Sequence, residues 1–414
     1  MDSDQTVCVV GLGYIGLPTA AILAANGNSV IGVDVNPRHV DEINAGRVPF
    51  VEPDLESVVA GVVAQGRLHA QRDVPSASTF IVAVPTPVKA SHDVDSTFVL
   101  AAADAIAPKL RGGELVILES TSPPGLTERM AEHILKARPD LTGEPGQRTS
   151  LYFAHCPERV LPGRIMVEIV SNDRIIGGVT RDAAERARDL YATFCKGELL
   201  LTDARTSEMA KLAENSYRDV NIAFANELSV ISDRLGIDVW ELIELANHHP
   251  RVNILQPGPG VGGHCIAVDP WFIVAAAPEE AKLVRLAREV NDAKPEFVLE
   301  KVLAKAARFR APVIAALGIA FKADIDDLRE SPSKAIVEGL ADAMAHARVL
   351  VVEPNIDRLP EGMSGLGNVE LMATEEAIEL ADLVLVLVDH QEFKSLDRTI
   401  LQEKVLVDTK GLFR

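Results

Sequence analysis

The chain has 414 residues, of which 47% are hydrophobic and 24% charged, a composition typical of a folded protein with two or three domains. Its 41 basic and 60 acidic residues give a net charge of −19, which opposes any general attraction to nucleic acid or anionic lipid. The strongly apolar runs are far shorter than the roughly 20 residues of a membrane-spanning helix, so we expect neither a nucleic-acid nor a membrane partner.

The N-terminal residues and the cysteines indicate the cellular compartment. The first residues, MDSDQT, have neither the basic nor the apolar region of a secretion signal. The 4 cysteines are scattered, with no CxxC pair and no spacing typical of metal ligands. His248 and His249 form a pair without a third ligand, so we predict no metal site. These features predict a protein of the reducing cytoplasm.

The N-terminal part alternates strands and helices. Residues 6–10 and 29–33 are short apolar strands, and a helix is predicted between them at about 16–26. Further strand-like runs at 80–84 and 115–118 are separated by helical segments. This alternation favours a parallel, doubly wound sheet.

The middle of the chain changes character. Residues 207–235 form a helical pattern without Pro or Gly, and Gly236 supplies a plausible end. We interpret this helix as the connection between two domains and as a candidate dimer surface, because one small domain would leave much of its length uncovered. Residues 250–270 are dense in Pro and Gly and predict an irregular loop of the kind that often serves a site.

A second strand, helix and strand follow near the C-terminus, at residues 313–317, 331–345 and 349–352. The overall prediction is therefore an α/β protein in which two Rossmann-like, doubly wound parallel-sheet domains are joined by a long central helix. The predicted boundaries are 1–200 for a dinucleotide-binding domain, 201–305 for a central helical linker and dimerisation domain, and 306–414 for the C-terminal Rossmann-like domain.

Gly11, Gly13 and Gly16 form G-x-G-x-x-G between the first strand and the first helix, and Asp34 follows the second strand. In this context the glycines permit a tight turn, backbone approach to a pyrophosphate and close packing, while the helix N-terminus attracts the anion. A carboxylate at Asp34 accepts from ribose hydroxyls and repels a 2′-phosphate, so NAD is preferred over NADP. FAD, or a turn needed only for folding, is the alternative.

The other candidate site residues can each be explained by a structural role instead of a function. Cys265 lies in the glycine-rich loop four residues before Asp269, and is either a nucleophile or a small buried hydrophobe. Lys211 and Asn215 are one helical turn apart, a spacing that by itself favours a solvated pair. Lys322 and Arg329 flank Asp326 and Asp327 after a strand, where ligands bind in open sheets, but a surface loop with internal ion pairs fits equally well.

From about residue 6 to the C-terminus, the chain resembles the nucleotide-sugar 6-dehydrogenases, the UDP-glucose/GDP-mannose dehydrogenase family. The segments that carry the resemblance occur in family order: GLGYIGLP at 11–18, VPTP at 84–87, ESTSPPG at 119–125, CPERVLPG at 156–163, KLAENSYRDVNIAFANE at 211–227, GVGGHC at 260–265 and FKADIDDLRESP at 321–332.

The resemblance implies a four-electron oxidation of a UDP-sugar at C6 by NAD in a homodimer. It implies that Cys265 forms a thiohemiacetal and then a thioester, and that Lys211 stabilises oxyanions. It gives the handling of water to Asn215, Asp269, Glu158 and Thr121.

The binding residues that the resemblance implies form two sets. The cofactor set is Gly11, Gly13, Tyr14, Ile15, Gly16, Asp34, Arg38, Pro85, Thr86, Thr121 and Arg329. The substrate set is Glu158, Arg159, Val160, Lys211, Asn215, Arg218, Arg251 from a second subunit, Asn253, Gly262 and Lys322.

The segment at 249–274 is most similar to the branch that oxidises UDP-N-acetyl-D-mannosamine for surface polysaccharides. Val268 stands where the UDP-glucose branch usually has a lysine, which fits a different sugar pocket and leaves UDP-N-acetylglucosamine open as a substrate. UDP-glucose is a further alternative. Two other classes also fit part of the pattern: a two-electron hydroxyacid dehydrogenase, and a non-catalytic nucleotide-binding regulator.

Overall fold

The computed structural model describes residues 6–89, 94–161, 163–263 and 265–414. Pro162 and His264, which belong to two of the motifs above, lie outside the described residues. The chain divides into two compact units, Met1–Ala213 with Trp271–Ala276, and Glu214–Pro270 with Ala277–Arg414.

The first unit contains an eight-stranded sheet. In order across the sheet the strands run β3-β2-β1-β4-β5-β6-β7-β8, and every neighbouring pair is parallel except β6 with β7. The strands are β1 Thr6–Val10, β2 Ser29–Val33, β3 Leu68–Gln71, β4 Thr79–Val82, β5 Leu115–Leu118, β6 Tyr152–His155, β7 Arg174–Gly178 and β8 Leu199–Asp203.

Both faces of this sheet are buried. In β1, Val7 and Val9 belong to one apolar cluster, whereas Cys8 and Val10 belong to a second cluster on the opposite face. The helices that cover the two faces are α1 Gly16–Ala25, α2 Pro37–Asn44, α3 Leu55–Ala64, α4 Thr97–Ile106, α5 Leu126–Ala137, α6 Ile165–Ser171 and α7 Arg181–Tyr191. Because residues facing either side are apolar, each central strand is a continuous apolar run.

The second unit contains a five-stranded parallel sheet in the order β11-β10-β9-β12-β13. Its strands are β9 Val313–Leu317, β10 Arg348–Val352, β11 Val369–Leu371, β12 Leu383–Val386 and β13 Val405–Asp408. The remaining helices of the chain are α8 Ala204–Leu235, α9 Val239–Asn247, α10 Asp269–Ala276, α11 Lys282–Ala306, α12 Pro332–Ala343, α13 Glu361–Ser364, α14 Thr374–Leu380 and α15 Gln391–Lys394.

Helix α8 is 32 residues long, about 48 Å at the usual rise per residue, and connects the two units. In the second unit it packs against α11 through buried polar groups. Arg288 donates to Asp219 at 2.6 Å, and Asn291 donates to the same carboxylate at 2.8 Å. Because a buried charge is tolerated only with a partner, this ion pair fixes the register of α8 against α11.

The predicted fold class is confirmed, since two Rossmann-like sheets are joined by α8. The strands predicted at 6–10, 29–33 and 313–317 have the observed bounds, and the central helix begins three residues earlier than predicted. The loop predicted at 250–270 ends two residues earlier in the structure, because α10 begins at Asp269.

No helix formed by the described residues has both the length and the apolar character that crossing a bilayer requires.

Candidate active site

The glycine motif forms a compact turn between β1 and α1. Gly11 has φ +94°, and a Cβ there would lie 2.5 Å from the carbonyl oxygen of Ala83. A Cβ at Gly16 would lie 1.8 Å from the carbonyl oxygen of Gly11. By contrast, a Cβ at Gly13 would meet no described atom within 4 Å. Two of the glycines are therefore required by packing, and the third faces open space where a ligand can approach the backbone.

The residues around this turn fit a dinucleotide. Ile15 stands at the N-cap of α1 and supplies no side-chain cap to the amides there, so the first turn can serve an anion. Asp34 follows β2, accepts from the amide of Leu12 at 2.9 Å and from that of Asn36 at 2.8 Å, and is partly buried. This carboxylate lies beside the glycine turn, as recognition of a ribose by Asp34 requires.

The other predicted cofactor residues surround the same edge of the sheet. Tyr14 stacks on Phe50 with ring centroids 4.2 Å apart. Thr86 donates its hydroxyl proton to the carbonyl of Thr121 at 2.7 Å, which joins the segments after β4 and β5. Pro85 and Arg38 are exposed.

The first unit contains a buried cluster of charged side chains that includes Glu158. Arg174 donates to Glu158 at 2.6 Å and lies 3.9 Å from Glu119. Glu119 in turn accepts from Thr19 at 3.0 Å and Tyr191 at 3.1 Å. One guanidinium therefore faces two buried carboxylates.

This imbalance changes the ionisation of Glu119. Burial, and secondly the negative charge of Glu158, raise the pKa of Glu119 to about 7, against the opposing effects of Arg174, Thr19 and Tyr191. Arg174 is then balanced by one anion, Glu158. The second oxygen of Glu158 accepts from the amide of Arg159 at 2.8 Å, so this ion pair also fixes the backbone that bears Arg159 and Val160.

Cys265 lies in the second unit at the end of the glycine-rich loop and is exposed. Its carbonyl accepts from the amide of Asp269 at 2.8 Å in the turn that leads into α10. Asn215 donates to the carboxylate of Asp269 at 2.5 Å, so these two predicted site residues are in direct contact. The turn therefore couples the position of the cysteine to that of the Asn215–Asp269 pair.

The glycine loop, which we define as residues 260–263, packs against the loop after β9. A Cβ at Gly262 would lie 2.5 Å from the carbonyl oxygen of Glu330, and a Cβ at Gly263 would lie 2.8 Å from the ring of Phe321. Gly260 similarly approaches Pro332. The glycines are needed because a Cβ would overlap a backbone carbonyl at Gly262 and neighbouring side chains at Gly260 and Gly263.

The loop after β9, residues 318–331, carries two predicted cations. Lys322 and Arg329 are both exposed. Arg329 forms a bidentate ion pair with Asp327, whose closer contact is 2.6 Å. The same segment contacts the glycine loop, so this unit places Lys322 and Cys265 on neighbouring backbone segments.

The predicted site residues are divided between the two units. Thr121, Glu158, Arg159, Val160 and Lys211 belong to the first unit, together with the other cofactor residues apart from Arg329; Asn215, Arg218, Arg251, Asn253, Gly262, Cys265, Asp269, Lys322 and Arg329 belong to the second. Lys211 and Asn215 are partly buried on α8, whereas Arg218, Arg251 and Asn253 are exposed.

Sequence reasoning missed four buried polar residues near these sites. They are Glu119 and Arg174 in the first unit and Glu353 and His390 in the second. Glu119 and Glu353 directly follow an apolar strand and Arg174 begins one, so a charged residue at such a position was the available signal for these three. His390 stands at the N-cap of α15 and had no such signal. Their partners are distant in sequence, so spacing alone could not pair them.

Comparison with known proteins settles the family. Residues 5–195 match the NAD binding domain of the UDP-glucose/GDP-mannose dehydrogenase family, residues 205–293 match its central domain, and residues 315–414 match its UDP binding domain. The chain belongs to the UDP-glucose/GDP-mannose dehydrogenase family. The predicted use of NAD and the predicted class of enzyme, an NAD-dependent nucleotide-sugar dehydrogenase, are thereby confirmed.

Relatives within the family cover the whole chain. An NDP-N-acetyl-D-galactosaminuronic acid dehydrogenase from Ralstonia nicotianae is 56% identical over 99% of this chain and 96% of its own. A UDP-N-acetyl-D-mannosamine dehydrogenase from Escherichia coli is 53% identical over 100% of both chains. The solved structure of a UDP-N-acetyl-mannosamine dehydrogenase from Staphylococcus aureus has a TM-score of 0.85 and 40% identity, covering 99% of this chain and 95% of that one.

The buried cluster predicts a pH effect on stability. The pKa of Glu119 is raised from 4.5 to about 7 in the folded chain, so the folded state holds a proton that the unfolded state loses. Stability from this group is therefore present below about pH 4.5 and falls as the pH rises towards about 7. The variant Glu119→Gln removes that dependence, so it gains stability relative to the wild type between about pH 5 and about pH 8.

Urea unfolding midpoints at the two pH values measure this effect. Glu56→Gln, an exposed position on α3 with the same change of charge, is the matched control and shows no such gain. An equal difference between wild type and Glu119→Gln at both pH values contradicts the protonation of Glu119.

The loop contact predicts a second effect. Gly262→Ala places a Cβ 2.5 Å from the carbonyl oxygen of Glu330, so the two loops must separate. We expect UDP to bind about tenfold more weakly, measured by calorimetry, because overpacking of this kind costs about 1–3 kcal/mol. Gly258→Ala is the control in the same segment, where the nearest atom to the new Cβ is 3.9 Å away. Equal UDP affinity in the two variants contradicts a role for the contact.

Proposed function

We propose that this chain oxidises UDP-N-acetyl-D-mannosamine at C6 to the uronic acid in two steps that consume two NAD. The relatives named for that substrate are 53% identical over the full length in Escherichia coli and 40% identical in the Staphylococcus aureus structure. The observation that carries the proposal is the turn of the second unit in which Cys265, Asp269 and Asn215 meet. A two-electron dehydrogenase has no task for such a cysteine.

The chemistry requires a covalent intermediate. Oxidising a primary alcohol to an acid removes four electrons, and NAD, when bound, accepts one hydride in each oxidation. The aldehyde formed first has no hydride on a tetrahedral carbon. Addition of the Cys265 thiolate to the carbonyl restores that geometry as a thiohemiacetal, and loss of the second hydride leaves a thioester. Water then cleaves the thioester, releasing the carboxylate and restoring the thiol.

We assign the charge and water handling to four residues. Lys211, as a compact ammonium, stabilises the oxyanions at the reacting carbon. Asn215 and Asp269 hold the water that first accepts a proton and later attacks the thioester. The contact between their side chains, at 2.5 Å, supports this shared task. Thr121 helps to position the same water.

We assign the activation of water to Glu158, whose carboxylate is oriented by its hydrogen-bond partners. Its carboxylate accepts from Arg174 and from the amide of Arg159, so both oxygens are oriented before any substrate binds. An oxygen in that state still has a lone pair for water, and its position is set by the ion pair.

The UDP portion is assigned to the second unit. Residues 315–414 match a UDP binding domain, and Lys322 lies in that segment. We place Lys322 at the sugar or phosphate, and Arg329 at the cofactor. A chain with a net charge of −19 can bind two anionic ligands in this way, because a few cations and helix N-termini act locally.

A second candidate substrate is the N-acetylgalactosamine nucleotide. It is favoured by the Ralstonia relative, which is 56% identical over 99% of the chain. The two candidates share the 2-acetamido group and the oxidation at C6, so the mechanism above is the same for both.

Counting NADH against sugar consumed tests this function. With UDP-N-acetylmannosamine and excess NAD, we expect two NADH per sugar, since both oxidations occur before release. UDP-N-acetylgalactosamine, UDP-N-acetylglucosamine and UDP-glucose complete the panel and rank the substrates by kcat/KM. A ratio of one indicates a two-electron enzyme, and no NADH with any member indicates a binding protein; either result contradicts the proposal.

Cys265→Ser is the matched variant for this measurement, because it exchanges sulfur for oxygen at an exposed position. We expect it to keep UDP binding and to fail to complete acid formation. Cys195→Ser, at a partly buried cysteine in the first unit, is the control and retains a ratio of two. Unimpaired acid formation by Cys265→Ser removes the cysteine from the mechanism.

We also propose a homodimer, in the cytoplasm, that supplies an activated uronic acid for surface polysaccharide. Tyr217, Phe224 and Ile231 recur every seven residues along α8 and are 73%, 51% and 47% exposed in the single chain. An apolar stripe of this size on one helix face is typical of an interface. In such a dimer the family resemblance implies that Arg251 serves the site of the second subunit.

The stripe predicts the effect of a charge at its centre. Phe224→Asp buries an unpaired carboxylate in the interface, so we expect mostly monomer by light scattering after gel filtration. Leu380→Asp, at a 46% exposed apolar residue on α14, is the control and stays dimeric. A Phe224→Asp chain that remains a dimer places the interface elsewhere.

A further inference from the structure

His390 lies in the second unit between β12 and α15, and it is 1% exposed. None of the roles assigned above uses this histidine. It contacts three polar residues on two segments: Asp324 after β9, and Glu353 and Asn355 after β10. The ring of Phe393, on its own segment, packs edge-on with centroids 5.3 Å apart.

The hydrogen bonds define the tautomer of His390. The backbone amide of Asp324 donates to Nδ1 at 2.9 Å, and the side-chain amide of Asn355 lies 3.2 Å from the same nitrogen. Because a backbone N–H can only donate, Nδ1 is an acceptor and carries no proton. The proton is therefore on Nε2, which donates to the carboxylate of Glu353 at 3.2 Å.

Glu353 holds the first part of the same loop. Its carboxylate accepts from the amides of Ile319 and Ala320 at 2.9 and 3.0 Å. Burial acts to raise the pKa of Glu353, but the hydrogen bonds from His390, Ile319 and Ala320 outweigh it and keep the pKa below its usual value. The carboxylate is therefore ionised, and it holds both the loop and the imidazole.

Asp324 is the point at which His390 fixes the loop. Its φ is +61°, a left-handed conformation that is uncommon and strained for a residue other than glycine. Its side chain accepts from the amide of Gln391 at 2.8 Å, while its own amide donates to His390. These two bonds hold a strained backbone two residues after Lys322.

We propose that His390 is a positioning residue for UDP binding, which fixes the backbone at Asp324 and thereby sets the position of Lys322. The proposal rests on the role of Lys322 given under the proposed function. His390 itself does not touch the ligand. Its effect travels through the loop alone, so it must depend on the presence of Lys322.

Two substitutions distinguish the effect of the hydrogen bond from Asp324 to His390 from the effect of the volume of the imidazole ring. In His390→Asn, the side-chain oxygen falls near the place of Nδ1 and can accept from the amide of Asp324. His390→Leu fills the site but leaves the amide of Asp324 without this acceptor. Lys322→Ala, alone and combined with His390→Leu, completes a double-mutant cycle. Calorimetric titration of the full chain with UDP is the measurement. Circular dichroism and thermal unfolding report whether each variant is folded.

We expect His390→Leu to bind UDP about tenfold more weakly, and His390→Asn to stay within about twofold of the wild type, since the amide keeps its acceptor. In the Lys322→Ala background, His390→Leu should cause little further loss. NAD affinity should fall less than UDP affinity, because residues 5–195 match the NAD binding domain and the loop after β9 contributes only Arg329 to the cofactor in the proposed function.

Three results overturn the proposal. They are wild-type UDP affinity in His390→Leu, an equal loss in His390→Asn and His390→Leu, and fully additive losses in the double variant. Turnover is a separate readout. A chain that shows the expected UDP affinities but forms no NADH from any UDP-sugar contradicts the proposed function and leaves the positioning role of His390 supported.

Discussion

The close contact between the glycine loop and the loop after β9 is the constraint on which the substrate-binding unit depends. Gly262 lies where a Cβ would overlap the carbonyl of Glu330, and Gly263 where it would overlap the ring of Phe321. Because no Cβ fits at these positions, the segment that ends in Cys265 is held beside the segment that carries Lys322. In the proposed function Cys265 is the nucleophile and Lys322 binds the substrate, so this packing holds the two groups on neighbouring segments.

Each unit has a carboxylate directly after the second strand of its sheet, but the surroundings of the two carboxylates differ. Asp34 follows the second strand of the first sheet and accepts from the amide of Leu12, in the loop after the first strand. Glu353 follows β10 and accepts from Ile319 and Ala320, in the loop after β9. Asp34 is partly exposed and can exchange its partners for a ribose, whereas Glu353 is buried under His390. In both units a carboxylate after the second strand therefore holds the loop after the first strand, and we propose that only Asp34 also binds a ligand, the ribose of NAD.

Much of the fold could be predicted because buried parallel strands are short apolar runs with clear ends, and β1, β2 and β9 have their predicted bounds. The start of α10 was missed because Asp269 and Pro270, a typical helix beginning, stand at the end of a segment dominated by Pro and Gly. The contact between Asn215 and Asp269 agrees with the task that the family resemblance implied for them. The Glu119–Arg174–Glu158 cluster and the His390 network could not be predicted, since only the folded chain brings such distant residues together; the domain boundaries and the roles of the site residues stay predictions.

In the proposed function, the substrate remains bonded to Cys265 between the two oxidations. Acid quenching during turnover of UDP-N-acetylmannosamine with NAD, followed by peptide mass mapping, examines that bond directly. We expect a uronyl thioester on the peptide that contains Cys265, which disappears on treatment with hydroxylamine. Active enzyme that yields acid while the Cys265 peptide stays unmodified at every quench time, or that carries the adduct on Cys156 or Cys195, contradicts this covalent link.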